Sequence, residues 1–347
     1  MRLLFVCEGL TDGGAEHFTA TMANFFCKAG RYEVALLTPP RQDSEYPLDR
    51  RIRRHPVMRR GRYLLTDAAA LRSIARAEKA SVVIGIGFYA NLMVCLANIR
   101  MEAKAVISER NAPQQDQLSL LSRMLRFLCY RNADAYVFQT QQAKEFYSQK
   151  IQSRAVVIHN PVAPDLPYRS DACRREIVAV GRLNRQKNYP LLLKAFREVS
   201  KRYPDYRLRI FGQGELKDSL ERNIGALHLS GKVSLEGFCL DVHEQIADSD
   251  IFVMSSDFEG MPNALLEAMA MGFPVISTDC PSGGPGEVIR DGQNGILVSV
   301  GREKELREAI LSLIGNPDQK AALGKHACAI RHTHSIEHIA RQWEQLF

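Results

Sequence analysis

Short apolar runs alternate with longer amphipathic stretches along most of the chain. Runs of this kind are typical of strands buried on both faces of a parallel sheet, and the stretches between them have the length and composition of helices. In the first half the predicted strands are Leu3–Cys7, Glu33–Thr38, Val82–Ile86, Ala105–Ser108, Ala135–Gln139 and Ala155–Ile158. In the second half they are Glu176–Val180, Leu208–Phe211, Val233–Gly237, Ile251–Ser255 and Pro274–Thr278. The alternation predicts doubly wound α/β units.

The chain length of 347 residues favours two domains over one. The segment that begins His159-Asn-Pro-Val carries three prolines in the seven residues from Pro161, which is typical of a linker. The sequence therefore predicts domains over residues 1–163 and 164–334. Residues 82–99 are uncharged over about the length of a membrane span, but the glycines and asparagines in them favour a strand followed by a helix. No signal peptide is evident before the first strand.

The net charge of +7 lies in the first half of the chain. Residues 1–170 carry 24 Lys and Arg against 15 Asp and Glu, and the remainder carries 22 against 24. Seven arginines fall within Arg50–Arg62, and Arg123, Arg126 and Arg131 punctuate the apolar run from Leu118 to Tyr130. Such a face could bind an anionic membrane, a phosphorylated substrate or nucleic acid, or be solvated with no partner. Nucleic acid is disfavoured because no recognised binding motif accompanies the charge.

Eight cysteines include no C-x-x-C pair and lie mostly in apolar segments, which favours reduced core cysteines in a cytosolic protein. Two other patterns resemble metal sites. Asp248 and Asp250 precede a strand and so lie at the wrong end of the predicted sheet, and His332, His334 and His338 have no Cys or Asp cluster beside them. No metal site is expected.

The stretch from Glu259 to Gly286 contains the closest grouping of candidate functional residues. Pro262 is expected at the first position of a helix that continues through Ala264–Met271 and ends at Gly272. Glu259 then lies in the loop at the carboxyl end of the preceding strand, where open α/β sheets bind ligands. Asn263 and Glu267 are four residues apart and share a helix face.

Other loops should open at the same edge of the second sheet. One of them, Gly181-Arg-Leu-Asn-Arg-Gln-Lys-Asn, offers Arg182 and Lys187 to a diphosphate, and the amides of Gly212–Gly214 and Ser282–Gly286 are candidates to support it. In the first half, glycines at positions 9, 13 and 14 form a turn before a helix predicted over Ala15–Lys28. Their spacing does not match the dinucleotide-binding fingerprint, so a nicotinamide or flavin enzyme is disfavoured.

Six segments follow one another along the chain: Gly13-Gly-Ala-Glu, Ser108-Glu-Arg-Asn, His159-Asn-Pro, Gly181-Arg-Leu, Gly212-Gln-Gly-Glu and Glu259-Gly-Met-Pro-Asn-Ala-Leu-Leu-Glu. Together they resemble the motifs of glycosyltransferase family 4. The runs from Thr278 to Glu287 and from Asp291 to Val298 are similar to the same family. The resemblance spans nearly the whole chain. It is closest to bacterial members that act on lipid-linked oligosaccharides or surface polysaccharide precursors.

The resemblance implies a GT-B fold: two Rossmann-like domains facing a cleft, with a C-terminal helix at about 335–347 that packs back on the first domain. Arg182, Lys187 and Glu259 would be catalytic, the two cations neutralising the donor diphosphate and Glu259 contacting the donor sugar. Glu267 would bind the ribose. The remaining implied contacts fall into two groups. The donor would meet Gly212, Gly214, Gly237, Met261, Pro262, Asn263, Ser282 and Gly283, and the acceptor would meet Gly13, Gly14, Glu109 and Arg110. No metal or other cofactor is then required.

One position departs from the family pattern. Related enzymes often carry a histidine where this chain has Arg110, and a guanidinium cannot act as a base near neutral pH. Glu109 is therefore expected to contact sugar or acceptor, and Arg110 to hold a phosphate of a lipid-linked acceptor. The two glutamates at 259 and 267 are expected to be a sugar contact and a ribose contact rather than an acid and base pair.

The leading hypothesis is a retaining glycosyltransferase that moves a hexose or N-acetylhexosamine from a nucleotide-diphosphate sugar, UDP-linked, to a lipid-linked or surface-glycan acceptor. It would be cytoplasmic and peripheral on the inner face of the cell membrane, held by salt-sensitive attraction to anionic lipid. Two alternatives remain open. One is a nucleotide-sugar 2-epimerase of GT-B fold, and the other is a non-catalytic nucleotide-sugar-binding module.

Overall fold

The computed structural model describes residues 1–11, 13–41, 45–59, 63–114, 118–171, 174–281 and 283–347. The chain divides into two units, each with its own internal contacts. The first unit consists of Met1–Pro161 and Ile336–Phe347, and the second of Val162–Ser335. The first crossing between them falls in the proline-rich segment that the sequence marks as a linker.

The first unit is built on a seven-stranded parallel sheet with the strand order β3-β2-β1-β4-β5-β6-β7. Its strands are β1 (Arg2–Cys7), β2 (Glu33–Leu37), β3 (Arg53–His55), β4 (Val82–Ile86), β5 (Lys104–Ser108), β6 (Ala135–Phe138) and β7 (Ala155–Val157). Its helices in this part of the chain are α1 (Gly14–Lys28), α2 (Leu64–Ala77), α3 (Phe88–Asn98), α4 (Leu120–Cys129), α5 (Gln141–Glu145) and α6 (Gln149–Gln152). Apolar clusters cover both faces of the sheet, as a parallel sheet requires.

The edge strand β3 has no apolar run and is absent from the sequence prediction. It pairs with β2 through Ala35 and Arg53, and its side chains are partly exposed. Much of the arginine-rich run around it is compensated locally by carboxylates. The ion pairs are Arg51–Asp49, Arg53–Glu78, Arg54–Glu45 and Arg59–Asp67. This part of the basic run is therefore less available to an anionic partner than the sequence suggests.

The uncharged stretch from residue 82 to residue 99 forms β4 and α3, as predicted. Val82–Ile86 is fully buried in the sheet, and Gly87 with a φ of 98° makes the turn into the helix. Across the described residues, no helix combines the length and the apolar character needed to cross a membrane.

The second unit contains a six-stranded parallel sheet with the order β10-β9-β8-β11-β12-β13. Its strands are β8 (Glu176–Val180), β9 (Arg207–Phe211), β10 (Val233–Gly237), β11 (Ile251–Met254), β12 (Val275–Thr278) and β13 (Ile296–Val298). Its helices are α7 (Tyr189–Arg202), α8 (Lys217–Ala226), α9 (Val242–Ile246), α10 (Asn263–Met271), α11 (Gly284–Val288), α12 (Glu303–Gly315), α13 (Pro317–Ala327) and α14 (Ile330–Thr333). Strand order reverses between β8 and β11, which makes their carboxyl ends the expected ligand edge.

The C-terminal helix α15 (Ile336–Glu344) belongs to the first unit. Its apolar face is buried, and Trp343 packs against Phe18 of α1 with ring centroids 5.7 Å apart. At its end, Glu344 accepts hydrogen bonds from Arg31 at 2.5 Å and from Tyr32 at 3.0 Å. The predicted return of this helix to the first domain is confirmed.

Candidate active site

Two loops leave the switch point of the second sheet. The first loop, Gly181–Asn188, follows β8, and the second loop, Ser255–Pro262, follows β11. Because β8 and β11 are neighbouring parallel strands, both loops emerge at the same edge. They are also joined through the backbone, since the Asp257 N–H donates to the Gln186 carbonyl over 2.8 Å.

Glu259 lies at the centre of these loops and is only 5% exposed. Its Oε1 lies 2.6 Å from the Lys187 ammonium and accepts a hydrogen bond from the Ser256 hydroxyl at 2.7 Å. Its Oε2 accepts from the Gln186 amide at 3.1 Å. A buried carboxylate is stable only with such compensation. Lys187 and Gln186 of the first loop, together with Ser256 of the second, supply the groups that compensate Glu259 and hold it in place.

The structure thus brings together two of the three residues predicted to be catalytic. The third, Arg182, is exposed at the start of the first loop, and its side chain makes no ion pair with any described residue. Gln186 and Ser256 were not predicted from sequence. Ser256 stands three residues before Glu259 on the same loop, which is a weak signal, and nothing in the sequence marks Gln186.

A second layer of side chains supports the pair. The Tyr189 hydroxyl donates to the Gly181 carbonyl at 3.0 Å, and burial together with the charge of Glu259 raises the pKa of Tyr189. The Cys280 thiol donates to the Ser256 carbonyl at 3.2 Å. Burial is the main reason why the pKa of Cys280 is raised to about 12. The thiol is therefore neutral near pH 7 and is a structural donor rather than a nucleophile.

Two of the predicted donor-site glycines, Gly212 and Gly214, allow close packing of the backbone. A Cβ on Gly212 would lie 2.0 Å from the Gly181 carbonyl oxygen, and one on Gly214 would lie 2.5 Å from that of Leu183. The Gly212 N–H donates to the Gly237 carbonyl at 2.8 Å. The Gly212 amide, predicted to bind a phosphate, therefore already donates a hydrogen bond within the protein.

Helix α10 starts where the second loop ends. Pro262 is its N-cap rather than a residue of its first turn, and the buried Met261 precedes it. The Pro262 carbonyl accepts from the amides of Leu265 and Leu266, and Gly272 ends the helix with a φ of 87°. The predicted helix and its glycine stop are therefore observed, with a start one residue later than Pro262, a shift common at helix ends.

Asn263 and Glu267 lie on one partly exposed face of α10, as their spacing predicts. Glu267 Oε2 lies 3.1 Å from Nε2 of His243, the second residue of α9. Burial alone would lower the pKa of His243, but the hydrogen bond to Glu267 and its charge raise it overall. His243 positions the predicted ribose ligand and has no signal in the sequence.

The glycine-rich turn before α11 packs on the second loop. Gly283 has a φ of 79°, which favours glycine, and a Cβ on Gly284 would lie 1.6 Å from the Gly260 carbonyl oxygen. The turn and the loop that carries Glu259 therefore fit only with glycine at position 284. Ser282 lies outside the described residues.

The predicted acceptor residues lie in the first unit. Gly13 is the N-cap of α1 and Gly14 its first residue, with a φ of 144° at Gly13. Glu109, at the carboxyl end of β5, is buried and accepts hydrogen bonds from the hydroxyls of Tyr130 and Tyr147, each at 3.1 Å. Burial and then the charge of Glu109 raise the pKa of Tyr130 well above its usual value.

Arg110 is buried beside it. Its guanidinium donates to Asn160 Oδ1 at 2.5 Å and to the Ser108 hydroxyl at 3.3 Å, and its carbon Cζ lies 3.6 Å from the centroid of the Phe18 ring. Nε has no hydrogen-bond partner among the described residues. Burial lowers the pKa of Arg110 to about 9, against the opposing charge of Glu109. A buried cation with an unused donor suits an anionic ligand.

The two sequence patterns that resemble metal sites do not form a metal-binding group among the described residues. Asp250 is buried and accepts from the Tyr206 hydroxyl at 2.6 Å and from the Lys320 ammonium at 2.7 Å, so it ties α13 to the amino end of β11. Within the part of the chain that the structure describes, no three His, Cys, Asp or Glu side chains are grouped to hold a metal ion.

Known families match both units. Residues 12–166 match the family model described as Glycosyltransferase Family 4, and residues 168–329 match the one described as Glycosyl transferases group 1. The chain belongs to the family 4 glycosyltransferases. The predicted family and enzyme class are confirmed.

Curated relatives align over the whole chain. An uncharacterized glycosyltransferase of Haemophilus influenzae is 25% identical over 347 residues and covers 98% of both chains. The alpha-1,4-N-acetyl-D-galactosaminyltransferase of Campylobacter jejuni is 24% identical and covers 100% of this chain and 98% of its own. The name of that enzyme gives its acceptor as a PP-undecaprenol-linked chain of GalNAc and diNAcBac.

Among solved structures, HepE of Anabaena in complex with UDP superposes with a TM-score of 0.85 at 19% identity, over 99% of each chain. A likeness at this identity shows the fold. The fold is GT-B, built from two Rossmann-like units, and the predicted fold class is confirmed.

Proposed function

We propose that this glycosyltransferase moves a hexose or an N-acetylhexosamine from a UDP-sugar to a lipid-linked or surface-glycan acceptor, with retention of anomeric configuration. The observation that carries the proposal is the Lys187–Glu259 pair, 2.6 Å apart at the carboxyl ends of the two switch-point strands. Ligands of open α/β sheets bind at this point, and a fixed cation there suits the diphosphate of a nucleotide sugar.

The comparisons support the choice of substrates. The Campylobacter jejuni relative is named for an acceptor linked to PP-undecaprenol, and HepE has been solved with UDP and with UDP-glucose. Both proteins align with nearly the whole of this chain. A donor linked to UDP and an acceptor carried on a lipid diphosphate follow as the first substrates to test.

On the donor side, each polar group has a distinct task. Lys187 uses one of its three hydrogens on Glu259, which leaves two for phosphate oxygens. Arg182, exposed at the same edge, adds a second cation. Glu259 contacts the sugar, and Glu267, oriented by His243, accepts from the ribose hydroxyls.

The reaction then needs little proton chemistry from the protein. The bond between the anomeric carbon and the diphosphate oxygen breaks while the acceptor oxygen attacks from the same face. The acceptor proton passes to the departing phosphate oxygen. Negative charge grows on the leaving group, and the two cations lower its energy because they are already in place. No resident metal is part of this proposal.

On the acceptor side, Glu109 and Arg110 are the polar groups of the first unit that we assign to the substrate. Glu109 is oriented by two tyrosine hydroxyls, which fits a contact to a sugar hydroxyl. Arg110 retains an unused Nε donor, which fits an oxygen of the acceptor phosphate. A lipid-linked acceptor would place the enzyme on the inner face of the cell membrane.

The proposal is tested by thermal shift with UDP-, GDP- and ADP-sugars, followed by product analysis with a short-chain prenyl-diphosphate sugar. Selective stabilisation by a UDP-sugar names the donor. We expect Glu259→Gln to lower transfer by about 100-fold or more. The matched surface change Glu198→Gln, in an exposed pair with Lys201, should leave transfer intact. Near-normal turnover of Glu259→Gln, or conversion of the donor with no acceptor present, would contradict the proposal.

A further inference from the structure

Helix α4 presents an apolar face to solvent. Five of its large apolar side chains are between 55% and 80% exposed, and they are Leu120, Leu121, Met124, Phe127 and Leu128. Scattered single exposed apolar residues are normal, but a contiguous group on one helix marks a surface that is covered by a partner. The group is called the α4 face below.

The spacing of the α4 face is that of a single helical stripe. At 100° per residue, its positions fall within an arc of about 120°. The opposite side of the helix is the one that packs on the first unit, where Arg126 and Cys129 are buried and Leu125 joins the core cluster. The Ser119 hydroxyl caps the helix by accepting from the Ser122 amide at 3.2 Å. The fold therefore holds α4 in place without using its apolar face.

Positive charge borders the α4 face. Arg123 and Arg131 are exposed, and the guanidinium of Arg131 lies 4.2 Å from the centroid of the Phe127 ring. Arg126 is not part of this border, because it is buried on the packed side of α4 and lies 5.2 Å from the ring of Phe146. Residues 118–133 contain no Asp or Glu. This differs from the Arg50–Arg62 run, where carboxylates pair with four of the described arginines.

We propose that α4 lies in the plane of an anionic bilayer, with the α4 face in the acyl boundary and the bordering arginines at lipid phosphates. An apolar stripe edged only by cations is the pattern of an interfacial helix. Arginine suits the border because its stem can lie along apolar surface while the guanidinium reaches phosphate. An anionic membrane is favoured over a protein partner because the charged residues of α4 and of its flanking positions, 118–133, are all arginines.

The position of α4 adds a consequence for the substrate. The residue that follows the helix, Tyr130, donates its hydroxyl hydrogen to Glu109. Membrane contact would thus occur next to the predicted acceptor residues, where a lipid-linked substrate must arrive. This link rests on the proposed function, whereas the membrane contact itself does not.

The proposal changes the expected response to salt. Attachment by charge alone would be lost as ionic strength rises, because salt screens charges at a surface. Apolar insertion is not screened in this way, so we expect binding that weakens with salt but retains a resistant part. Vesicles of phosphatidylglycerol and phosphatidylcholine, sedimented with the full chain at low and high salt, give this measurement.

The decisive comparison uses two pairs of substitutions at exposed positions. In Leu121→Asp with Met124→Asp, the vesicle partition coefficient should fall by at least about tenfold. The matched pair Leu65→Asp with Ile99→Asp, on α2 and after α3, changes two equally exposed apolar residues of the same unit and should leave partition within about twofold. Thermal unfolding checks that both variants fold.

A second readout places the helix in the lipid. Phe127→Trp should show a blue shift and quenching by brominated lipid on vesicle addition, while Leu65→Trp should show neither. Transfer to a water-soluble acceptor should be unchanged in the Leu121 and Met124 variant, which separates membrane contact from catalysis. The proposal would be overturned if the Leu121 and Met124 variant bound vesicles as well as the unmodified chain does. It would also be overturned if the unmodified chain did not bind vesicles. A concentration-dependent dimer that the variant abolishes would overturn it as well, since the α4 face would then belong to a second copy.

Discussion

Replacing Lys187 with methionine tests the central ion pair most directly. The change keeps the apolar stem and removes the charge, so that Glu259, whose side chain is 7% exposed, loses the one cation that pairs with it among the described residues, at 2.6 Å. Removing one partner of a buried pair costs about 3–5 kcal/mol. Glu259 keeps the hydrogen bonds from Gln186 and Ser256, and the Lys187 side chain is 15% exposed. We therefore expect a loss of roughly 2–3 kcal/mol in the free energy of unfolding.

The assay is urea unfolding of a double-mutant cycle made from Lys187→Met, Glu259→Gln and the double variant. Because the double variant leaves no buried charge, its stability should return to within about 1 kcal/mol of the original, giving a coupling energy of about 2 kcal/mol. The exposed Glu198–Lys201 pair, 2.8 Å apart, is the matched control and should couple by less than about 1 kcal/mol.

Activity separates the structural role of the pair from its chemical role. The double variant should be stable but should still fail to transfer sugar, since no cation remains beside the diphosphate. Additive single changes, with no coupling, would refute the claim that the pair compensates a buried charge. A stable double variant with normal turnover would refute the assignment of Lys187 to the donor phosphates.

Three further outcomes follow from the geometry. Gly284→Ala places a Cβ 1.6 Å from the Gly260 carbonyl oxygen and should lower the free energy of unfolding, measured in urea, by about 3 kcal/mol. Gly225→Ala on helix α8 is the control, because nothing lies within 4 Å of the added Cβ, and it should raise the free energy of unfolding by about 0.5–1 kcal/mol. The raised pKa of His243 gives stability that is fully present below pH 6.5 and is lost as pH rises through the higher folded pKa. His243→Gln should therefore flatten the stability profile as pH rises above 6.5, and an unchanged profile would rule out this pair as its source. Arg110→Met should raise the acceptor KM and leave donor binding unchanged. It should not lower the free energy of unfolding, because the cost of burying the guanidinium is removed. An unchanged acceptor KM would exclude contact between Arg110 and the acceptor phosphate.

The apolar pattern predicted most of the strands and the helix after Glu259, because both depend on residues that are close in sequence. The edge strand β3 was missed for the same reason, since Arg53–His55 has no apolar run and is held only by pairing with β2. Strand β13 was likewise not predicted, being short and only partly buried.

The sequence did not predict which side chains contact the site residues. Lys187 and Glu259 were each singled out, but their contact spans 72 positions and depends on β8 and β11 being neighbours. Gln186 and His243 reach their glutamates from separate elements and have no motif of their own. The donor glycines illustrate a further limit, because a glycine that allows backbone packing and one that admits a phosphate look the same in a sequence.

The return of α15 to the first unit also sets an order of folding during synthesis. The second unit is continuous in sequence and can complete its core once Ser335 has left the ribosome. The first unit begins earlier but lacks the side chain of Trp343 against Phe18 until α15 has been made. The unit that starts first therefore finishes second, and its apolar surface under α15 stays open to chaperones or to aggregation throughout synthesis of the second unit.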